Sequence, residues 1–98
     1  MVKVGINGFG RIGRLVFRAS LDRKDMTVVG VNDPFIDVAY AAYMLKYDTI
    51  FGRFPKSLDH DQSGIYIDGK HVDVYSFSDA SEIPWKEAGV DYVIDCTG

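Results

Sequence analysis

A glycine triplet set between two apolar segments constrains this chain more than any other feature. Gly8, Gly10 and Gly13 follow the pattern G-x-G-x-x-G. Before them runs Val2 to Ile6, short and rich in β-branched residues, which suits a buried strand. After them Arg11 to Leu21 places Ile12, Leu15, Val16 and Ala19 at helical spacing, predicting a helix with those four on its inner face. Glycines at this spacing also mark ordinary turns. A strand before them and a helix after them is the context that gives the pattern a chemical meaning.

In that context each glycine has its own job. Gly8 permits a tight turn off the strand. Gly10, lacking a Cβ, lets a pyrophosphate approach the backbone, and Gly13 lets the helix pack closely on the strand. The N–H groups of Arg11 and Ile12 have no helical acceptor and sit at the positive end of the helix dipole, which suits an anion. A second signal stands about 20 residues past the last glycine. Met26 to Val31 is another β-branched run, and it ends in Asn32-Asp33-Pro34. A carboxylate at that place accepts from both ribose hydroxyls and repels a 2′-phosphate, which favours NAD over NADP. The alternative is that Asp33 only opens the turn before Pro34.

Strand, helix and strand from Val2 to Val31 form a βαβ unit, so the two strands should be parallel. The fold class is therefore α/β, a Rossmann-type parallel sheet. A second helix is predicted over Ile36–Tyr47, capped by Asp37, with Val38, Ala41, Ala42 and Leu45 inward and Tyr40, Tyr43 and Tyr47 as packing or interface residues. Tyr47 to Gln62 reads as irregular. Ile65–Ile67 and Lys70–Tyr75 flank Asp68-Gly69, a hairpin turn, and the hairpin reads as a peripheral insertion. Ser78 to Gly89 reads as a short helical turn, and Val90 to Cys96 as a third core strand. Ligands of open α/β sheets bind at the carboxyl ends of the strands, so Gly8, Asp33 and Thr97 should converge there.

The rest of the sequence mainly excludes. The 98 residues, 47% hydrophobic, suffice for one small domain. No apolar run is long enough to cross a bilayer and no segment resembles a signal peptide, so the expected location is cytoplasmic, without a membrane partner. A net charge of -3 without a basic block argues against nucleic acid. Cys96, the one cysteine, has no base at suitable spacing and reads as structural. His60 and His71 lack partners at metal or catalytic spacing and read as surface residues, so no metal site is expected.

Three stretches carry a resemblance. Ile6-Asn7-Gly8-Phe9-Gly10-Arg11-Ile12-Gly13-Arg14, Val31-Asn32-Asp33-Pro34-Phe35 and Leu45-Lys46-Tyr47-Asp48 are similar to the amino-terminal part of the glyceraldehyde-3-phosphate dehydrogenase family. The likeness covers nearly the whole chain. The resemblance implies a cytoplasmic homotetramer that oxidises glyceraldehyde 3-phosphate with NAD and inorganic phosphate in glycolysis. It also implies a set of cofactor-binding positions. Asn7 and Gly8 form the turn, Phe9 and Gly10 are counted with them as cofactor-binding, and Arg11 and Ile12 hold the pyrophosphate through their backbone. Asp33 takes the adenosine ribose, and Thr97 and Gly98 lie beside the cofactor. Ser78 stands where many members carry a basic residue near the adenine. Residues 1–98 then form the amino-terminal half of an NAD-binding domain. The family's catalytic cysteine and histidine match no position here, so no residue of the 98 is assigned to catalysis. The runners-up are an erythrose-4-phosphate dehydrogenase, in which a Cys at the place of Cys96 is also seen, and a non-catalytic nucleotide-binding module.

Overall fold

The computed structural model describes residues 1–47 and 52–97. Its elements in chain order are β1 (Val2–Asn7), α1 (Arg11–Ser20), β2 (Met26–Asn32), α2 (Val38–Lys46), β3 (Leu58–His60), β4 (Gly64–Ile67), β5 (Lys70–Tyr75), a 3-10 turn (Ala80–Glu82) and β6 (Tyr92–Asp95). The six strands form one sheet in the order β3-β4-β5-β2-β1-β6. β5, β2, β1 and β6 run parallel, and β3 and β4 are antiparallel to their neighbours. The parallel βαβ reading of Val2 to Val31 holds, with β1 and β2 paired from Val2↔Met26 to Asn7↔Asn32 through a one-residue shift between Val4 and Gly5.

The hairpin lies toward one edge of the sheet and joins its parallel part. Its second strand, β5, pairs in parallel with β2 through Gly30↔Asp73, Val31↔Val74 and Asn32↔Tyr75. The turn itself is as read, with Asp68 and Gly69 both at positive φ (51° and 83°). The hairpin sequence does not say which side of the sheet receives it. The inward residues Ile65, Ile67 and Val72, buried with α2's Leu45, settle that. The adjoining β3 lies within the stretch read as irregular, where three residues carry too little periodicity to announce a strand.

The inner face of α1 also differs from the reading. Gly13, Phe17 and Ser20 are buried, whereas Ile12 and Leu15 are exposed. Arginine stems explain the difference. Arg14 donates to the Phe9 carbonyl at 3.2 Å. Arg18 donates to the carbonyls of Leu45 at 3.0 Å and Gly52 at 2.8 Å, with its guanidinium over the Phe54 ring. Long cationic side chains cover apolar surface while their heads satisfy carbonyls, which a polarity pattern hides. The shorter α2, Val38–Lys46, is capped as expected, because Asp37 accepts from the N–H of Tyr40 at 2.8 Å. Ala41, Ala42 and Leu45 face inward, and Tyr40, Tyr43 and Tyr47 line its exposed side.

The other sheet face is covered differently. The Trp85 indole lies on Gly5 and Gly30, so close that a Cβ on Gly5 would stand 2.6 Å from the ring. Tyr75 meets the same indole edge-on at 5.8 Å. The 78–89 stretch holds the 3-10 turn Ala80–Glu82 and a second turn in which the Ala88 N–H donates to the Pro84 carbonyl at 3.2 Å. At the sheet's end β6 is narrower than read, Tyr92–Asp95, and its Tyr92 and Val93 are exposed because β1 is its one strand neighbour among the described residues.

Candidate dinucleotide-binding site

β1, β2, β5 and β6 all end at one edge of the sheet, and the loops that leave them are stitched together. Gly8 has φ 98°, which an L side chain rarely adopts, and its N–H donates to the Asn32 carbonyl at 2.7 Å. A Cβ there would also meet the Thr97 nitrogen at 2.7 Å, so the turn after β1 and the chain after β6 touch backbone to backbone. A Cβ on Gly13 would overlap the Gly8 carbonyl, which makes the closeness of α1 to the turn depend on that glycine.

Gly10 is different. It sits at the N-cap of α1 with φ -78° and ψ -154°, ordinary extended backbone. A Cβ added there would meet nothing within 4 Å. Neither strain nor packing within the described residues asks for a glycine here. A pyrophosphate set against this backbone would ask for one. The cap has no side-chain hydrogen bond, and the first turn has no acidic residue. Among the described residues the N–H groups of Arg11 and Ile12 find no acceptor, and both residues are exposed. The helix end therefore has room, free donors and a favourable dipole for an anion.

Asp33 leaves the end of β2 and is half-buried. One carboxylate oxygen accepts from the Phe9 N–H at 3.0 Å and the other from the Phe35 N–H at 2.9 Å. Each oxygen keeps a further acceptor site, so the group can still take two hydroxyls. The Asp33 N–H donates to the Tyr75 carbonyl at 3.0 Å, which ties the loops after β2 and β5.

Asn32 escaped the sequence reading, although it immediately precedes Asp33. It is 1% exposed, and its amide bridges Asn7 and Phe77. A buried asparagine between two apolar runs was the one available signal. Ser78 follows Phe77 and is exposed on the same edge. Thr97 is exposed too. Its N–H and hydroxyl both donate to one oxygen of Asp95, at 3.0 and 2.6 Å, and these hydrogen bonds hold the Asp95 carboxyl below its ordinary range. Phe9 stands apart from the other positions. Its ring is buried against Phe17, edge to face at 5.8 Å, and its N–H is taken by Asp33. Gly98 lies outside the described residues.

Cys96 packs against the core. Burial, aided by Asp95, pushes its thiol above the ordinary value, the opposite of an activated thiolate. His71 has partners after all. Its ring lies 3.0 Å from the Ser63 hydroxyl and 3.6 Å from Asp73, on the hairpin and away from the strand ends. No cluster of three metal-ligating side chains exists among the described residues. A cavity of about 320 Å³ lies by the amino end of β2, lined by Leu21, Thr27 and Lys70 and by none of the glycine-turn residues.

Parallel strands with a glycine turn after the first, a helix opening on that turn and an acid after the second define a dinucleotide-binding domain of the Rossmann type. Comparison with known proteins takes this further. Residues 2–98 match a family model described as the NAD binding domain of glyceraldehyde 3-phosphate dehydrogenase. The chain is 55% identical over 98 residues to a glyceraldehyde-3-phosphate dehydrogenase of Coccidioides posadasii, covering 100% of this chain and 29% of that protein. It is 56% identical over 97 residues to one of Yarrowia lipolytica, covering 99% of this chain and 29% of that protein. It is 51% identical over 96 residues to a cytosolic one of Gracilaria gracilis, covering 98% and 29%. The chain belongs to the glyceraldehyde-3-phosphate dehydrogenase family and corresponds to its NAD-binding domain. It spans 29% of the length of these curated relatives.

Proposed function

We propose that this chain is the adenosine-binding half of the NAD domain of a phosphorylating glyceraldehyde-3-phosphate dehydrogenase that works as a cytoplasmic homotetramer. Its substrates are glyceraldehyde 3-phosphate and inorganic phosphate. The observation that carries the reading is the open space in front of Gly10, beside the N–H groups of Arg11 and Ile12, which find no acceptor among the described residues. When bound, NAD supplies the hydride acceptor. Arg11 and Ile12 bind the pyrophosphate through their N–H groups. Asp33 accepts from the adenosine ribose. Ser78 flanks the adenine, and Thr97 closes the side toward β6. None of the 98 residues performs the covalent chemistry.

The test is calorimetric titration of the protein with NAD and with NADP, beside an assay of NAD reduction with glyceraldehyde 3-phosphate and phosphate. Saturable NAD binding, weaker NADP binding and phosphate-dependent reduction are expected. Absence of NAD binding overturns the cofactor assignment. Binding without reduction by the intact polypeptide overturns the dehydrogenase.

A further inference from the structure

The hydrogen bonds of Asn32 settle which way two amides point. The Phe77 N–H can only donate, and it lies 2.9 Å from Asn32 Oδ1. The Phe77 carbonyl can only accept, and it lies 3.1 Å from Asn32 Nδ2. These two contacts fix the Asn32 amide without ambiguity. Its second Nδ2 hydrogen goes to Asn7 at 3.1 Å, so Asn7 must present its oxygen there. The Asn7 NH₂ group is thereby turned away from Asn32. Among the described residues it has no hydrogen-bond partner, and it stands on the residue before Gly8, at the carboxyl end of β1.

We infer that Asn32 is a positioning residue that locks the Asn7 amide so that its NH₂ donates to the bound dinucleotide. The inference rests on the dinucleotide reading of this edge. Three features make Asn32 suited to the task. It is 1% exposed, so water does not compete for its hydrogen bonds. It sits one residue before Asp33, so the ribose acid and the residue that locks the amide share one strand end. Its own carbonyl accepts from Gly8, so the same residue also fixes the glycine turn. A donor at Asn7 suits the phosphate oxygens of such a ligand, which can only accept.

Asn7→Asp separates this role from a structural one. The new carboxylate still accepts from Asn32 Nδ2, so the fold is kept, but it replaces the donor with an acceptor. Its thermal midpoint should stay near that of the parent while the NAD dissociation constant rises about ten- to a hundredfold. In the unsubstituted protein, NMR should show the Asn7 side-chain NH₂ resonances shifting on NAD addition. Those of Asn32 should be slow to exchange with solvent and nearly unmoved. Parent-like NAD affinity of Asn7→Asp, or Asn7 resonances that ignore saturating NAD, would overturn the inference. If Asp33→Ala still weakens binding in that case, the dinucleotide reading survives and only the amide lock fails. If the parent itself does not bind NAD, both fall together.

Discussion

The carboxylate of Asp33 accepts from the backbone N–H of Phe9 at 3.0 Å, across 24 residues of sequence. The acid at the end of β2 is thus latched to the glycine turn at the end of β1. The proposed ribose acceptor is therefore also a tie that holds the turn. Asp33→Ala should therefore do two things. NAD binding should weaken by about 1.5–3 kcal/mol, the worth of hydrogen bonds to a charged group. Stability should fall by about 1 kcal/mol or more as the Phe9 N–H loses its acceptor. Calorimetric titration and denaturant unfolding measure the two losses, and an unchanged NAD affinity refutes the ribose assignment.

Gly8 and Gly10 should respond oppositely to alanine. At Gly8 a Cβ meets strained φ and the Thr97 backbone, so Gly8→Ala should destabilise by about 2–4 kcal/mol. At Gly10 the Cβ enters open space, and Gly10→Ala should cost at most about 1 kcal/mol as a poorer helix cap. The same variant should lose about tenfold or more in NAD affinity through the methyl set against the pyrophosphate. Thermal unfolding and titration of the two variants give the comparison.

Trp85 is the only tryptophan, and its ring rests on Gly5. Gly5→Ala puts a methyl 2.6 Å from the indole, so the ring must lift off the sheet. The expected loss is about 1–3 kcal/mol, as for other overpacked sites. The tryptophan emission should move to longer wavelength as the ring gains water. Emission and stability that both match the parent would show that the ring does not sit tightly there.

Tyr75 should titrate late among the six tyrosines, as should Tyr66, whose hydroxyl donates to Asp61. Burial first, then the neighbouring Asp73 charge, pushes its phenol up to about 12 from 10.0. A raised folded-state value means that folding favours the protonated form. The stabilisation is full below pH 10 and is lost as pH rises through about 12. Tyr75 is half-buried, with Phe77 and Trp85 against its ring. Ultraviolet titration of phenolate absorbance in the parent and in Tyr75→Phe checks this. A Tyr75 that ionises with the exposed tyrosines would refute the environment described.

Much of this protein is local and could be read from the sequence. The β-branched runs at Val2 and Met26, the glycine triplet, the Asp37 cap and the Asp68-Gly69 turn each depend on residues close together in the chain. Backbone sterics, side-chain periodicity and short-range hydrogen bonds determine them with little help from elsewhere. The tertiary structure decided what depends on partners far away. It chose β2 as the neighbour of β5, and it buried Gly13 and Phe17 where Ile12 and Leu15 had the right spacing. It also gave Asn32 its hydrogen bonds to Asn7 and Phe77, 25 and 45 residues distant. Strand pairing and buried polar networks are satisfied only when distant groups meet in a water-free interior. A residue's own neighbours in the chain carry no record of which groups those are.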